Sequence, residues 1–586
     1  MKEMFNFRKF TNMKKISLFI VAALAFASCS VLNSDPETEF TKSNYFTSES
    51  NVEVYANAFY NTFTGYGSGS GDYYFNTLND DQSDRGITPW TYTSVGATNN
   101  VWNNAYTEIR RANTLIEQIP SISSMSEPAK NNWLGVARLY RAWQHYRVVR
   151  AFGDCYYIDH ELQTSEGNIL YGPRQDRDEV MDKVLEDLNF AVENITYNES
   201  SRVAFNKYVA NAMKAEICLY EGTFCKYRST ADGQKAPDAA RATKFLDECV
   251  KACEVIIKSG NYELNGTDVS GYQANFNSFD LAGNKEMILY KHYVNGSMGH
   301  GTIDYTCGST PVIGMSKDAF DSYLFADGKT AAETAQPTTD QGVVKTILAA
   351  DGICDTDHDV IDISAVLAAR DPRLSVQVDK YVHFVDHGYA RFGGAESTST
   401  TGYGVLLFDV TTIGTSEPNW NNTTRQSTTG NWTDAPIFWY GQLLLNYAEA
   451  CAETGNTTEA TKAIDQLRTR VGMPGVAVTG GDLLTNVRRE RRCELMYCMN
   501  DRYWSLIRWH ELDRLDTELH PDIAKGAWVG TLAINPQGGK SVETDAAGYI
   551  VTNNGNKRTY DKKYYLYPIP SNEISLNPEI GQNPGW

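Results

Sequence analysis

Residues 206–224 read NKYVANAMKAEICLYEGTF. From Val209, the residues Ala212, Met213, Ile217 and Tyr220 follow at three, four, eight and eleven positions. That is the helical period, and it places all five on one buried stripe. Working outward, the same pattern recurs over residues 102–119, 131–152, 178–195 and 239–258. Gly153, Gly222 and Gly260 lie at or just past the ends of three of these helices, where a glycine stops a helix. The chain is therefore mostly α.

Helices of about 20 residues joined by short connections predict antiparallel hairpins stacked side by side, as in tetratricopeptide arrays. The spacing between units is irregular, so no strict repeat is claimed. Ahead of the stack, Val54, Ala58 and Tyr60 to Phe63 read as one amphipathic helix ended by the Gly/Ser run at 65–71. From Tyr262 to about Asp434, Gly, Ser, Thr and Asn dominate, broken by short apolar runs at 286–290 and 405–410. This predicts a loop-rich excursion with a few short strands, and long loops on a compact scaffold are where function concentrates. Helical patterning returns at 437–454, 457–471 and 483–511. The expected organisation is a leader at 1–28, a helical region at 29–260, the excursion at 261–434 and a second helical region at 435–586, the last three forming one unit.

The 586 residues carry a formal charge of −19, and nothing in such a chain would neutralise the phosphates of a nucleic acid. Tyrosine is abundant at 35, with 23 Phe and 11 Trp, and flat rings that reach the surface bind flat ligands. Lys14 and Lys15 precede an apolar run from Ile16 to Ala27 that ends in Phe26-Ala27-Ser28-Cys29. The run is too short to span a bilayer, and its layout is that of an export signal; Met13 offers a second start. The Cys after Ala-Ser resembles the bacterial lipoprotein box, which predicts lipidation of Cys29 after cleavage, with ordinary signal cleavage as the alternative. Several buried acyl chains hold a protein on a membrane without a spanning helix. Most of the ten later cysteines sit in helical, apolar stretches, where Cys acts as a small hydrophobe, and no CxxC pair suggests zinc. No cofactor or metal is expected.

Several segments, in order, resemble one family. They are VWNNAYTEIRRANTLIEQI (101–119), RLYRAWQHYRVVRAFGD (138–154), DPRL (371–374), LLLNYAEACAETG (443–455), VRRERRCELMYCMNDRYWSLIRW (487–509) and YYLYPIPSNEISLNPEIGQNPGW (564–586). Together they are similar to the SusD/RagB family of outer-membrane nutrient-binding lipoproteins, over essentially the whole mature chain. Departures from its pattern are Cys498 in place of Glu, an extra residue before Arg502, and Ser505 in place of Asp. The resemblance implies a tetratricopeptide-like scaffold with a loop-rich ligand face, no catalysis, and a SusC-like TonB-dependent transporter as partner. It further implies capture of oligosaccharides or another nutrient, such as a peptide, at the outer membrane. A secreted glycoside hydrolase is the competing class.

A sugar site needs aromatic faces and side chains that hydrogen-bond hydroxyls. Asp81, Arg85, Trp90 and Tyr92 supply that mixture on one segment. The competing reading is a solvated acidic loop with Trp90 packed as a lid on its own core. Tyr293, Tyr305, Trp420 and Trp432, in the excursion, are second candidates, whereas Trp102, Trp133 and Trp143 fall in helical stripes and read as core. In the Arg-rich run 488–492, Glu490 and Glu494 interleave at helical spacing and favour internal ion pairs over phosphate binding. Asp355, Asp357 and Asp359 alternate as in a calcium loop, but Val360 and Val366 stand where Gly and Glu belong. His383 and His387 lack the HExxH context of a metalloprotease.

Overall fold

The computed structural model describes residues 42–67, 73, 78–84, 86–302, 313–348, 350, 357–384, 389–390, 396–397, 399–410, 430–530, 532 and 542–586. Among the described residues up to Ser259, six helices have eight residues or more: α1 (Glu49–Ala56), α2 (Asn100–Gln118), α3 (Glu127–Phe152), α4 (Arg177–Asn194), α5 (Lys207–Tyr227) and α6 (Ala239–Ser259). Each starts where a short polar side chain accepts from the first-turn N–H groups: Ser48, Asn99, Ser126, Asp176, Asn206 and Asp238. From α2 to α6 each helix packs on the next, the stacked-hairpin arrangement expected of the sequence. The stripe Val209, Ala212, Met213, Ile217 and Tyr220 is buried, as are Trp102, Trp133 and Trp143. The helix expected through Phe63 instead tightens after Ala56 into a 3-10 turn, Asn57–Thr62, which stacks Phe59 on Tyr140 with centroids 4.0 Å apart.

After helix α7 (Val269–Asn277) the described part of the excursion carries short strands and three short helices, Lys317–Ser322, Ser364–Ala368 and Leu374–Gln377. Strand β1 (Gln82–Asp84) pairs with β3 (Ile313–Met315), and β4 (Val343–Ile347), β5 (His358–Asp362) and β6 (Tyr381–Val382) form a three-stranded sheet. Strand β2 (Met287–Lys291) pairs antiparallel with β7 (Ala435–Trp439), Met287 facing Trp439 and Lys291 facing Ala435. This corrects the helix expected from Ile437: Ile-Phe-Trp is a fully buried strand, whose continuous apolar run shows no alternation, and helix α8 (Tyr440–Glu453) begins only after it. Then come α9 (Thr457–Arg470), α10 (Leu483–Glu494) and α11 (Asp501–Trp509). The single helix expected at 483–511 is broken because Tyr497, Met499 and Asn500 adopt φ of 67°, 50° and 56°.

One apolar cluster runs from Phe46 to Ile580, so the terminal loops close over the same core as the helices. Trp586 Nε1 donates to Leu566 O at 2.9 Å, and Asn583 Nδ2 donates to Phe152 O at 3.0 Å, tying the C-terminal segment to the end of α3. All eight described cysteines are free and buried.

Gly153 and Gly260 end α3 and α6 with φ of 74° and 67°, as the sequence predicts. Gly222 does not end a helix. It lies inside α5, where a Cβ would stand 2.7 Å from Leu246 Cγ and 3.1 Å from Ala242 O, so α6 packs directly on bare backbone. Gly222→Ala should therefore destabilise the chain by about 1–3 kcal/mol despite the better helix propensity of Ala. A lowered urea midpoint with unchanged m-value is the expected result.

Candidate functional site

The first candidate segment is set by a turn. Asn79 Oδ1 accepts from the N–H groups of Asp81 and Gln82, both at 3.0 Å, and this turns Asp80 and Asp81 inward. Both are buried. Arg492 Nε donates to Asp81 Oδ1 at 2.6 Å, while Arg502 Nε and Nη2 hold Asp80 at 2.7 Å each and Arg514 Nε reaches it at 3.1 Å. Burial alone would raise the Asp80 carboxyl, but the three guanidiniums outweigh it and hold the group well below the usual carboxylate range. Asp81 thus sits in an ion-pair network instead of facing solvent.

Trp90 is buried, stacked on Tyr564 with centroids 4.2 Å apart, and donates Nε1–H to Thr559 O at 2.8 Å. It is a lid on its own core. Tyr92 is half-buried; its hydroxyl accepts from Asn99 Nδ2 at 2.7 Å and its ring lies edge-on to Tyr567. Arg85, Tyr305, Trp420 and Cys29 lie outside the described residues.

Tyr293 and Trp432 are brought into one neighbourhood by the β2–β7 pair. The strands end at Lys291 and begin at Ala435, so residues 292–294 and 431–434 emerge side by side. Asp434, fully buried, accepts from the N–H groups of Tyr293 and Leu281 and from His292 Nδ1, all at 2.9 Å. The Tyr293 hydroxyl donates to Thr64 O at 3.2 Å, and Trp432 lies tilted on Phe279; both rings are buried, so neither of these sequence candidates shows an open face to solvent. His300 Nε2 donates to Thr433 O at 3.0 Å, Nδ1 accepts from Thr302 N at 3.3 Å, and its ring sits 4.8 Å from that of Tyr66. Tyr73 and Phe408 pack edge-on against Tyr66. At the outer edge His292 keeps 49 % of its side chain in solvent, and Val294 and Met298 are exposed. The segments holding Tyr305 and Trp420 leave the described chain at Thr302 and Val410, both next to this cluster in sequence or packing. Sequence reasoning missed Tyr66, His292, His300 and Asp434. The one signal available was an acid, Asp434, immediately before a fully apolar run.

Among the described residues, Asp178, Glu221 and Cys225 form the one acid–thiol group with metal-like spacing. Arg177 binds Glu221 at 2.6 Å, Arg228 binds Asp178 at 2.7 Å and Arg241 reaches Glu221 at 3.2 Å, so the acids are already matched by cations. Of the Asp-rich run, Asp359 lies on strand β5 and accepts from Thr346 Oγ1 at 2.7 Å; a strand is not a calcium loop. Asp355 and His387 lie outside the described residues, and His383 pairs with Asp379 at 2.7 Å.

A family model described as the SusD family matches residues 285–586, and one described as starch-binding associating with outer membrane matches 38–219. A SusD-like protein of Bacteroides ovatus is 23 % identical over 219 residues, 35 % of this chain and 39 % of that protein. A SusD-like protein of Formosa agariphila is 27 % identical over 224 residues, 36 % of this chain and 43 % of that one. The chain thus matches about two fifths of the length of these curated relatives. Among solved structures, a SusD-like protein from Bacteroides fragilis superposes with a TM-score of 0.64 at 22 % identity, covering 94 % of this chain and all of that one. A SusD-like carbohydrate binding protein from the same organism gives 0.64 at 19 % identity, covering 92 % and 100 %. At these identities the likeness shows the fold.

His300 in the cluster and His145 in α3 share one electrostatic feature. His145 Nδ1 donates to Arg141 O at 3.0 Å and Nε2 accepts from Ile158 N at 3.1 Å, so both imidazoles are neutral, each with one nitrogen facing an N–H donor. Burial pushes both down to about 3 from the ordinary value near 6.5. Below pH 6.5 the unfolded chain then binds protons the folded chain refuses, so stability is full above that value and is lost as pH falls towards 3. At pH 5 each site should cost about 2 kcal/mol relative to pH 7. Urea unfolding at the two values checks this: His300→Gln should lose about 2 kcal/mol less than the parent chain.

Proposed function

The chain belongs to the SusD family, and from that premise we propose that it is a non-catalytic lipoprotein of the outer-membrane surface. In this reading it captures oligosaccharides and delivers them to a SusC-like TonB-dependent transporter. The observation that carries the proposal is the cluster at the ends of β2 and β7. Aromatic rings there are held by hydrogen bonds to backbone and to a buried carboxylate, so the site is rigid before a ligand arrives. His292 stands at its rim as the exposed ring, Tyr293 and Trp432 back it as buried ones, and Tyr305 and Trp420 are kept from the sequence as candidate contacts. Arg85 and Tyr92 are retained as flanking candidates, and Asp81 and Trp90 as the residues that hold their segment in place.

Anchoring rests on Cys29 in the Ala-Ser-Cys context. No helix among the described residues is long and apolar enough to cross a membrane; in this proposal a lipid on Cys29 is the attachment. The absence of turnover is supported by the acids. A glycosidase needs one carboxyl poised as an acid beside a second free carboxylate. Here two closely spaced pairs of acids, Asp80 with Asp81 and Glu286 with Glu494, are bound by the guanidiniums of Arg492, Arg502 and Arg470; burial pushes Asp81 and Glu286 up, but all four carboxyls are buried away from a substrate.

Titration of the purified chain against oligosaccharide and peptide panels tests this. We expect saturable binding of an oligosaccharide, no shorter products on prolonged incubation, and about tenfold weaker binding for His292→Ala. Catalytic release of shorter sugars would make the chain a hydrolase. Binding confined to peptides would leave the architecture and change the cargo.

A further inference from the structure

The β2–β7 ladder has a second end. Tyr440 follows β7 there, and Glu263 N bonds Lys285 O just before β2. Between the 262–267 loop, the start of α8 and the side of α9 opens a cavity of about 650 Å³. A second cavity of about 390 Å³, between α6, α8 and α9, shares Lys462 and Gln466 with the first, so the two form one groove along α9. Five ladder residues at about 3.4 Å each place the groove roughly 17 Å from the His292 cluster.

We propose that this groove is a second saccharide-binding site, taking neutral sugar units. The proposal rests on the carbohydrate reading above but not on the site assigned there. Three observations lead to it. Tyr262, Tyr440 and Tyr447 line the groove; their rings are largely buried, so they offer it ring edges and hydroxyls, an amphipathic wall that suits the mixed CH and OH surface of a sugar.

Hydrogen-bonding groups at the wall lack protein partners. Among the described residues, no hydrogen bond is made by the hydroxyls of Tyr262, Tyr440 and Thr469 or by the Gln466 amide. Arg470, 3 % exposed, gives Nη1 to Glu286 and Nη2 to Glu494, while its buried Nε–H has no acceptor. Buried donors are nearly always satisfied, and here the group lies on a side chain that lines an open cavity.

The charges, in contrast, are already matched. Lys462 pairs with Glu459 at 2.6 Å, Lys258 with Glu254 at 2.7 Å and Glu263 with Lys285 at 3.0 Å, while Asp465 Oδ1 accepts from Val476 N at 2.7 Å. An ionic ligand would find no free counter-charge, whereas a polyhydroxyl ligand finds uncharged donors and acceptors beside the edges of tyrosine rings. A peptide would need partners for a repeating backbone, and it is the competing occupant.

Isothermal titration with the oligosaccharide that the panel identifies, on the full mature chain, decides between these. Thr469 and Gln466 are exposed on α9, so Thr469→Trp fills the groove from a helix surface and Gln466→Ala removes an amide without touching the core. We expect two sites on the parent chain, one on Thr469→Trp, and about tenfold weakening of the second site in Gln466→Ala, with unchanged thermal unfolding in both. His292→Ala should weaken only the other site. A single site abolished by His292→Ala and indifferent to both groove variants overturns this proposal and leaves the loop-face reading intact. A single site abolished by Thr469→Trp upholds the groove and overturns the loop-face assignment. Peptide binding that Thr469→Trp blocks, with no sugar bound there, replaces the saccharide by a peptide and so overturns it, as does a parent chain that binds no saccharide.

Discussion

A charge buried in a protein must be paired, and helix α10 meets that requirement with residues drawn from across the chain. Glu490 takes Arg468 at 2.8 Å and Arg373 at 2.6 Å. Glu494 takes Arg373 at 2.9 Å and also Arg470. Arg491 donates to Asp501 at 2.9 Å and Asn446 at 2.7 Å, and Arg492 reaches Asp81 at 2.6 Å and Asp318 at 2.8 Å. One turn of helix therefore fixes α8, α9, α11, the DPRL turn, the residues after β3 and the segment that begins at Asn79. Such pairs add little net stability over apolar packing, because desolvation offsets most of their attraction. Their effect is on alternatives: displacing any one segment leaves a buried ion alone, which costs several kcal/mol. The network makes a loop-rich chain adopt one arrangement.

The stripes of the helical stack are plain in the sequence because burial on one face imposes a 3.6-residue period that any window displays. The Arg-rich helix shows where such reading ends. Its charges suggest ion pairs within the helix, and its structural role holds, yet the partners are tens to hundreds of residues away, a distance no local pattern encodes. The β7 strand and the broken helix after Glu494 fail for related reasons. A run buried on every side carries no period, and the left-handed residues Tyr497, Met499 and Asn500 are not glycines that would announce a turn. Gly222 misleads in the opposite direction, since a glycine needed for helix approach looks like a glycine that ends a helix.

The candidate site was legible in kind more than in place. Composition correctly indicates that the segment 80–92 joins acids to aromatics, but the direction of each side chain is decided by a turn at Asn79 and by the C-terminal strap. Arg558 donates to Asn79 O and Thr88 O, and Thr552 bonds Ser83, so residues nearly five hundred positions away press that segment onto the core. Asp81 and Trp90 face inward as a result. Tyr293 and Trp432, separated by 139 positions in the numbering, meet only because β2 and β7 pair.

That pairing also explains why function and scaffold do not compete here. The ladder is buried along its length and anchored at one end by Glu286, which receives Arg470 and the Asn265 N–H, and at the other by Asp434. Loops that begin at such fixed points start from backbone that the core already holds. The Asp434 carboxylate is the sensitive element in this arrangement. It holds the backbone of Tyr293 and Leu281 together with the ring of His292, so a change there would release the rim and the ladder's end together, whereas a change further out on either loop would alter only what the rim meets.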